Sequence, residues 1–420
     1  MRTAFLRAPQ EGTASSGQGL LRAYRDLTSQ EGPIHARSVA AMGRCLLAGE
    51  PVPFYQINTL SRLRWFLRLE DGDIALHDPR EVAHADREPA WHKLCDGLDD
   101  WPALTQEAQA ELVAVLTKLG FWDLVLRLVP DDVEVTASTV TARLAHFRCN
   151  AALKSSGPTD RTRARASDVT EQIALSQLPS ALRLNAAVNL IVHHAKSDRS
   201  PVRLRSWCTL ADDLVAGQEP DQVDPIQMSV YWRGVSFLPF FDGDHHEVRR
   251  MLDRAEELGR RALADPSCQD SLLAHENMHP LLETRGRAAA AAGDQETAER
   301  YYRELVAHDP LDAKTHLRLG DHLRHKGRPE DARRCYQDAA VIGAPYTAYA
   351  LTQAARCSVA LDDTEHAVAS LAQAVQCDPW AVTPLVLLQD LLPGTSLRGL
   401  RPWAGERLQS LLEGLGKGER

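Results

Sequence analysis

The segment His275-Glu276-Asn277-Met278-His279 is the one stretch of this 420-residue chain that looks catalytic. Two imidazoles four residues apart on a continuous helix face the same way and can share a metal such as zinc. A glutamate between them can act as a base on metal-bound water. Glu283 lies four residues further along that face as a candidate third ligand, and His245 and His246 precede the motif. Pro280 follows at once. A proline removes a helix hydrogen bond and marks a place where one helix ends and another begins. That would put the two histidines at a helix end instead of on a rigid platform, and no H-x-x-G-x-x-H continues the motif. The expectation is therefore no catalytic residue and no cofactor. The alternative is a zinc-dependent hydrolase or peptide-modifying enzyme that uses His275, Glu276, His279 and Glu283.

The rest of the chain offers little chemistry. It has no phosphate-binding glycine loop, no G-x-G-x-x-G after a strand and no G-x-S-x-G elbow. His193-His194 reads as a packing feature at a helix end. The eight cysteines form no C-x-x-C pair, which fits reduced thiols in a cytoplasmic protein. The net charge of -9 argues against a nucleic-acid surface, because phosphate binding needs a basic face. The 41 arginines against 7 lysines, with many alanines, suggest a high-GC bacterial source. The first 19 residues lack the apolar run of a signal peptide, and no stretch approaches a membrane span.

Apolar spacing predicts a mainly all-α chain. Residues 1–18 read as a mobile tail. Residues 19–130 form a mostly helical region, with a small β-hairpin at 62–77 suggested by alternation around Asp71-Gly72. Residues 131–223 hold irregular helix pairs, and the arginines at 161, 163 and 165 sit on a charged loop over 155–166. Residues 224–392 carry repeats. In the first, degenerate unit Trp232 and Phe237 share one helix. A separate helical stretch over 269–279 precedes the first clear repeat. Residues 393–420 supply a closing helix.

The repeats show as an echo. Ala298 and Tyr302 return as Ala332 and Tyr336, then as Ala367 and Leu371, in steps of 34 and 35. Gly286, Gly320 and Ala355 stand 12 residues before each alanine, and Gly293 and Gly327 mark a second shared position. This pattern resembles the tetratricopeptide repeat, over roughly residues 228–392. The resemblance implies a solenoid of helix pairs whose concave groove binds a peptide or protein segment. Carried onto this sequence, the groove positions are Arg233, Glu283, Arg287, Lys314, Asp321, Arg324, His325, Tyr349, Thr352 and Arg356, with Phe237, Phe240 and Phe241 nearby. The basic excess of the set suggests an acidic segment as ligand. The partner expected is a protein or peptide, neither nucleic acid nor membrane.

Overall fold

The computed structural model describes residues 78–417, apart from short stretches at 82–83, 88, 119, 156–158, 218–223, 266–271, 311, 343–345, 379–380 and 396–397. The tail at 1–18 and the hairpin expected at 62–77 lie outside the described residues. Every regular element among those described is helical, and none of the helices is long and apolar enough to cross a membrane. The chain divides into two compact units, with the boundary between Asp294 and Gln295.

In the first unit α1 (Pro89–Asp99), α2 (Gln106–Lys118), α3 (Trp122–Leu128) and α4 (Thr139–Ser155) close on one core. Trp91, Leu94, Val113, Leu116, Phe121, Val125 and Phe147 fill it. The Trp91 indole N–H donates to the Pro79 carbonyl at 2.8 Å, so the ring is buried without stranding its polar atom. The next helix, α5 (Asp160–Leu175), begins earlier than the sequence suggests. Thr159 accepts from the Thr162 N–H and caps it, so Arg161, Arg163 and Arg165 ride on its first turns instead of a loop. Arginine's unbranched side chain costs a helix little.

There follow α6 (Ser180–His193), a π turn at His194–Asp198, α7 (Pro201–Ala216), α8 (Pro225–Val235) and α9 (Phe237–Asp242). Trp232 and Phe237 thus lie on separate helices, with Ser236 between them. Leu184, Val188, Ile191, Leu204, Cys208, Tyr231 and Val235 form the core of this part. The unit ends with α10 (His245–Ala264) and α11 (Leu272–Ala291). Pro280 does not divide α11; the helix runs through it. The separate stretch expected before the first repeat is therefore the front half of that repeat's first helix.

The second unit is the repeat stack: α12 (Gln295–His308), α13 (Ala313–His325), α14 (Pro329–Ile342), α15 (Thr347–Ala360), α16 (Thr364–Cys377), α17 (Val382–Leu391) and α18 (Arg401–Lys417). Each helix packs on the next in sequence from α12 to α17, and α17 packs on α18. The echoing positions are its core: Ala298, Tyr302, Ala332, Tyr336, Ala367 and Leu371 are all buried. Gly320 sits where a Cβ would come 2.9 Å from Cε1 of Tyr336, so only a glycine lets α13 and α14 approach this closely.

The turns repeat as well. Gly293 and Gly327 have φ of 83° and 70°, and the third turn has Asp362 at 58°. Each ends its helix with the same pair of backbone bonds. At Gly327 these run from Gly327 N–H to Arg324 O and from Arg328 N–H to Leu323 O; at Asp362 they run from Asp362 N–H to Val359 O and from Asp363 N–H to Ser358 O. Asp312 and Asp363 then cap α13 and α16 through their carboxylates. One ion cluster braces the stack. Glu299 on α12 accepts from Arg303 at 2.8 Å, from Lys326 at 2.7 Å and from Arg328 at 2.9 Å. Lys326 and Arg328 belong to the turn between α13 and α14, so three cations converge on one largely buried carboxylate.

Candidate functional site

The catalytic-looking motif lies mid-helix and is used in packing. Met278 is fully buried, with its sulfur 2.9 Å from where a Gly259 Cβ would lie. Asn277 Nδ2 donates to Ser229 Oγ at 2.8 Å, and Ser229 Oγ donates to the Ala255 carbonyl at 2.7 Å. This buried chain ties α11 to α8 and α10. Glu276 and His279 are buried too, and His275 is half-buried. Helical spacing sets His275 and His279 one turn apart on one side, as the sequence implies. His275, His279 and Glu283 nevertheless do not bring three ligand atoms to one point.

The groove positions taken from the repeat pattern separate into two groups, one in each unit. In the first unit Arg233 is buried, as a groove residue should not be. Burial pushes its guanidinium down to about 10, and nearby Glu283 opposes the shift. Arg233 lies in the last turn of α8 and is enclosed there, with Glu283 of α11 near it. Glu283 is half-buried. Arg287 is exposed and lines an open cleft with Phe237, Phe240 and Phe241.

In the second unit the first helices of successive repeats, α13 and α15, bring most of the remaining positions together. Lys314, Arg324 and His325 are exposed on α13; Tyr349 and Arg356 are exposed on α15. The Lys314 ammonium lies 5.9 Å from the centre of the Tyr346 ring, within cation–π range. Tyr349 stands in the field of Arg324, Arg356 and Arg318. Partial burial pushes its phenol up, and Asp321 adds to the rise while the three arginines oppose it. Arg318 is exposed on α13 but is not one of the positions the repeat pattern singles out. A basic residue one turn after Lys314 was the available signal.

Asp321, the acid of this group, is already engaged. It accepts from the Tyr336 hydroxyl at 2.7 Å, and that phenol is raised by burial and by the Asp321 carboxylate. The Tyr336 hydroxyl in turn holds Arg324, pushing its guanidinium up. His325 places Nδ1 2.6 Å from the Asp321 carbonyl oxygen. Thr352 is buried and donates its hydroxyl to the Ala348 carbonyl at 2.7 Å, so it does not reach a ligand. Its helix is packed on both sides, by α14 and α16, which covers most of its turns. The net arrangement is an exposed basic face around one exposed tyrosine, suited to accepting carboxylates.

No protein-family model and no curated protein matches the sequence. Among solved structures, YrrB, a TPR protein with an unusual peptide-binding site, is 14% identical; the match covers 48% of this chain and 90% of that one, with a TM-score of 0.33. The STAND protein PH0952 from Pyrococcus horikoshii, which has a tetratricopeptide repeat sensor, is 13% identical; coverage is 99% of this chain and 68% of that one, with a TM-score of 0.44. Human IFIT1 with m7Gppp-AAAA is 10% identical, with 98% and 99% of the two chains covered and a TM-score of 0.40. These likenesses are distant, and the assignment rests on the chain's own geometry. The 34- and 35-residue steps, the buried small and aromatic echo positions and the left-handed turn residues together make this a helical-repeat protein of the tetratricopeptide type.

Proposed function

We propose that the face formed by α13 and α15 holds an extended, acidic segment of a partner protein. One observation carries this reading: Arg318, Arg324 and Arg356 present cations around exposed Tyr349, with Lys314 exposed on the same helix as Arg318 and Arg324, while Asp321 is occupied by Tyr336. Arginine's planar fork holds a carboxylate through two hydrogen bonds, and the tyrosine ring gives apolar contact at small entropic cost. Exposed pairs are individually weak, so recognition needs several of them at once and weakens with salt. On this reading the protein is a non-catalytic scaffold that needs no metal or cofactor and works in the cytoplasm.

The test is a fluorescence-polarisation titration with labelled ten-residue peptides: an acidic set with one aromatic residue, and a basic set of the same length. The expected result is binding of acidic peptides alone, weakened at least tenfold in Arg324→Glu/Arg356→Glu with an unchanged circular dichroism spectrum. Equal affinity of that variant and the wild type for acidic peptides refutes the assignment of this face.

A further inference from the structure

We propose that the cleft in the first unit, lined by Lys196, Arg199, Phe237, Phe240, Phe241 and Arg287, is a binding site for a mononucleotide. The proposal does not rest on the peptide face, which belongs to the other unit.

The cleft has a volume of about 550 Å³, within the size range of small-molecule sites and too small for a nucleic-acid strand. Its floor is aromatic. All three phenylalanines come from the short helix α9 and are half-buried, with Phe237 and Phe241 rooted in the core around Leu204, Ala211 and Leu214. Arg205 on α7 reaches Asp242 at 3.3 Å, which fixes the end of α9 and occupies the nearest acid on that helix. The rim is cationic. Lys196 comes from the π turn after α6, Arg199 follows that turn, and Arg287 comes from α11 on the other side. All three are exposed, and no carboxylate is among the described residues that line the cleft. Arg199 is held at φ 46° and ψ 40°, a left-handed conformation that a side-chain-bearing residue adopts at a cost. Strain of this kind recurs where a side chain is aimed at a ligand.

The ligand chemistry follows from these pieces. Three phenylalanine rings lining one cleft offer faces and edges on which a flat aromatic group stacks. Two of the three exposed cations that line the cleft are arginines, whose fork matches phosphate oxygens. A carboxylate on an acyl chain fits less well, since an acyl chain gains most in an enclosed tunnel, whereas these rings stay half-exposed in an open cleft. A base on the phenylalanines with phosphates among Lys196, Arg199 and Arg287 satisfies both halves.

The test is isothermal titration of the full chain with ATP and GTP. Parallel arms use adenosine (ring without charge), pyrophosphate (charge without ring), a six-nucleotide oligomer, oleate and an acidic peptide. The expected result is binding of a nucleoside triphosphate at least tenfold tighter than adenosine, pyrophosphate, the oligomer or oleate, and no displacement of it by the acidic peptide. Arg199→Glu and Phe240→Ala should each reduce it at least fivefold, with thermal unfolding unchanged in Arg199→Glu, whose side chain is exposed. The proposal is overturned if no nucleotide binds at 1 mM, set as about the weakest useful affinity. It is equally overturned if pyrophosphate, the oligomer or oleate binds as well as the triphosphate, if the acidic peptide displaces the triphosphate, or if Arg199→Glu binds it like the wild type. Loss of nucleotide binding with intact peptide binding separates this site's failure from that of the α13/α15 face.

Discussion

Replacing Glu299 by glutamine tests how the repeat stack is braced. Burial alone would raise this carboxyl, but bonds from Lys326, Arg303 and Arg328 override it and hold it at about 2, against an ordinary 4.5. Its side chain is only 14% exposed, so solvent screens these bonds weakly. The folded value lies below the unfolded one. The stabilisation is therefore complete above about pH 4.5 and is lost as the pH falls through about 2. A fall of this size is worth at most about 3.4 kcal/mol at neutral pH, and about 1.4 kcal/mol at pH 3. Glutamine keeps weaker neutral bonds, so Glu299→Gln should cost about 1–3 kcal/mol at pH 7. Hydrogen exchange of peptides from α12 to α14 reads the local opening free energy. The difference between wild type and variant should shrink by at least half from pH 7 to pH 3. A gap below about 0.5 kcal/mol at pH 7, the level of an ordinary surface change, or one that does not shrink at pH 3, refutes the reasoning.

Other outcomes follow from the same structure. Gly320→Leu should destabilise the second unit by about 1–3 kcal/mol or more, because its side chain must displace the fully buried Tyr336 ring. Gly327→Ala should cost only about 1 kcal/mol, the strain of a φ of 70° in open space; thermal melts that reverse this order refute the packing account. Burial pushes the Cys208 thiol up to about 12, and Cys95, Cys149 and Cys335 up to about 11. Native-state alkylation at pH 7.5, a working value about one below the free-thiol range, should label exposed Cys377 before any of them, as read by mass spectrometry.

The repeat was legible because it is written in residues with a single steric role. Gly320 against Tyr336, and Gly327 in a left-handed turn, admit few substitutes, so spacing alone exposes them. Asp362 hid the third turn because it takes a glycine's conformation without being a glycine. The groove was harder to read. The template of first-helix positions assumes a regular pair of helices, and in the degenerate unit the Arg233 that satisfies it is buried. Thr352 satisfies the template but is short enough to be covered by α14 and α16 and to spend its hydroxyl on its own helix. Arg318 falls outside the template although its side chain is exposed with the others. Pro280 reads as a stop because a proline removes one bond, yet the packing of Met278 and Asn277 carries α11 through it. Sequence could not show that contribution, since it depends on Ser229 and Gly259 from distant helices.

The aspartate at 362 sets where the stack gives way under tension. Each helix pair in such an array leans only on its neighbours, so the weakest turn decides the order of rupture. The turns at Gly293 and Gly327 are free of side-chain strain, whereas Asp362 stores some, and Arg333 bonded to Asp363 at 2.9 Å is the clasp across it. A chain pulled by its C-terminal end should shed α16 to α18 as one piece at this clasp. Helix α13 would keep its partner α14 through that first event, whereas α15 would lose α16 from one side.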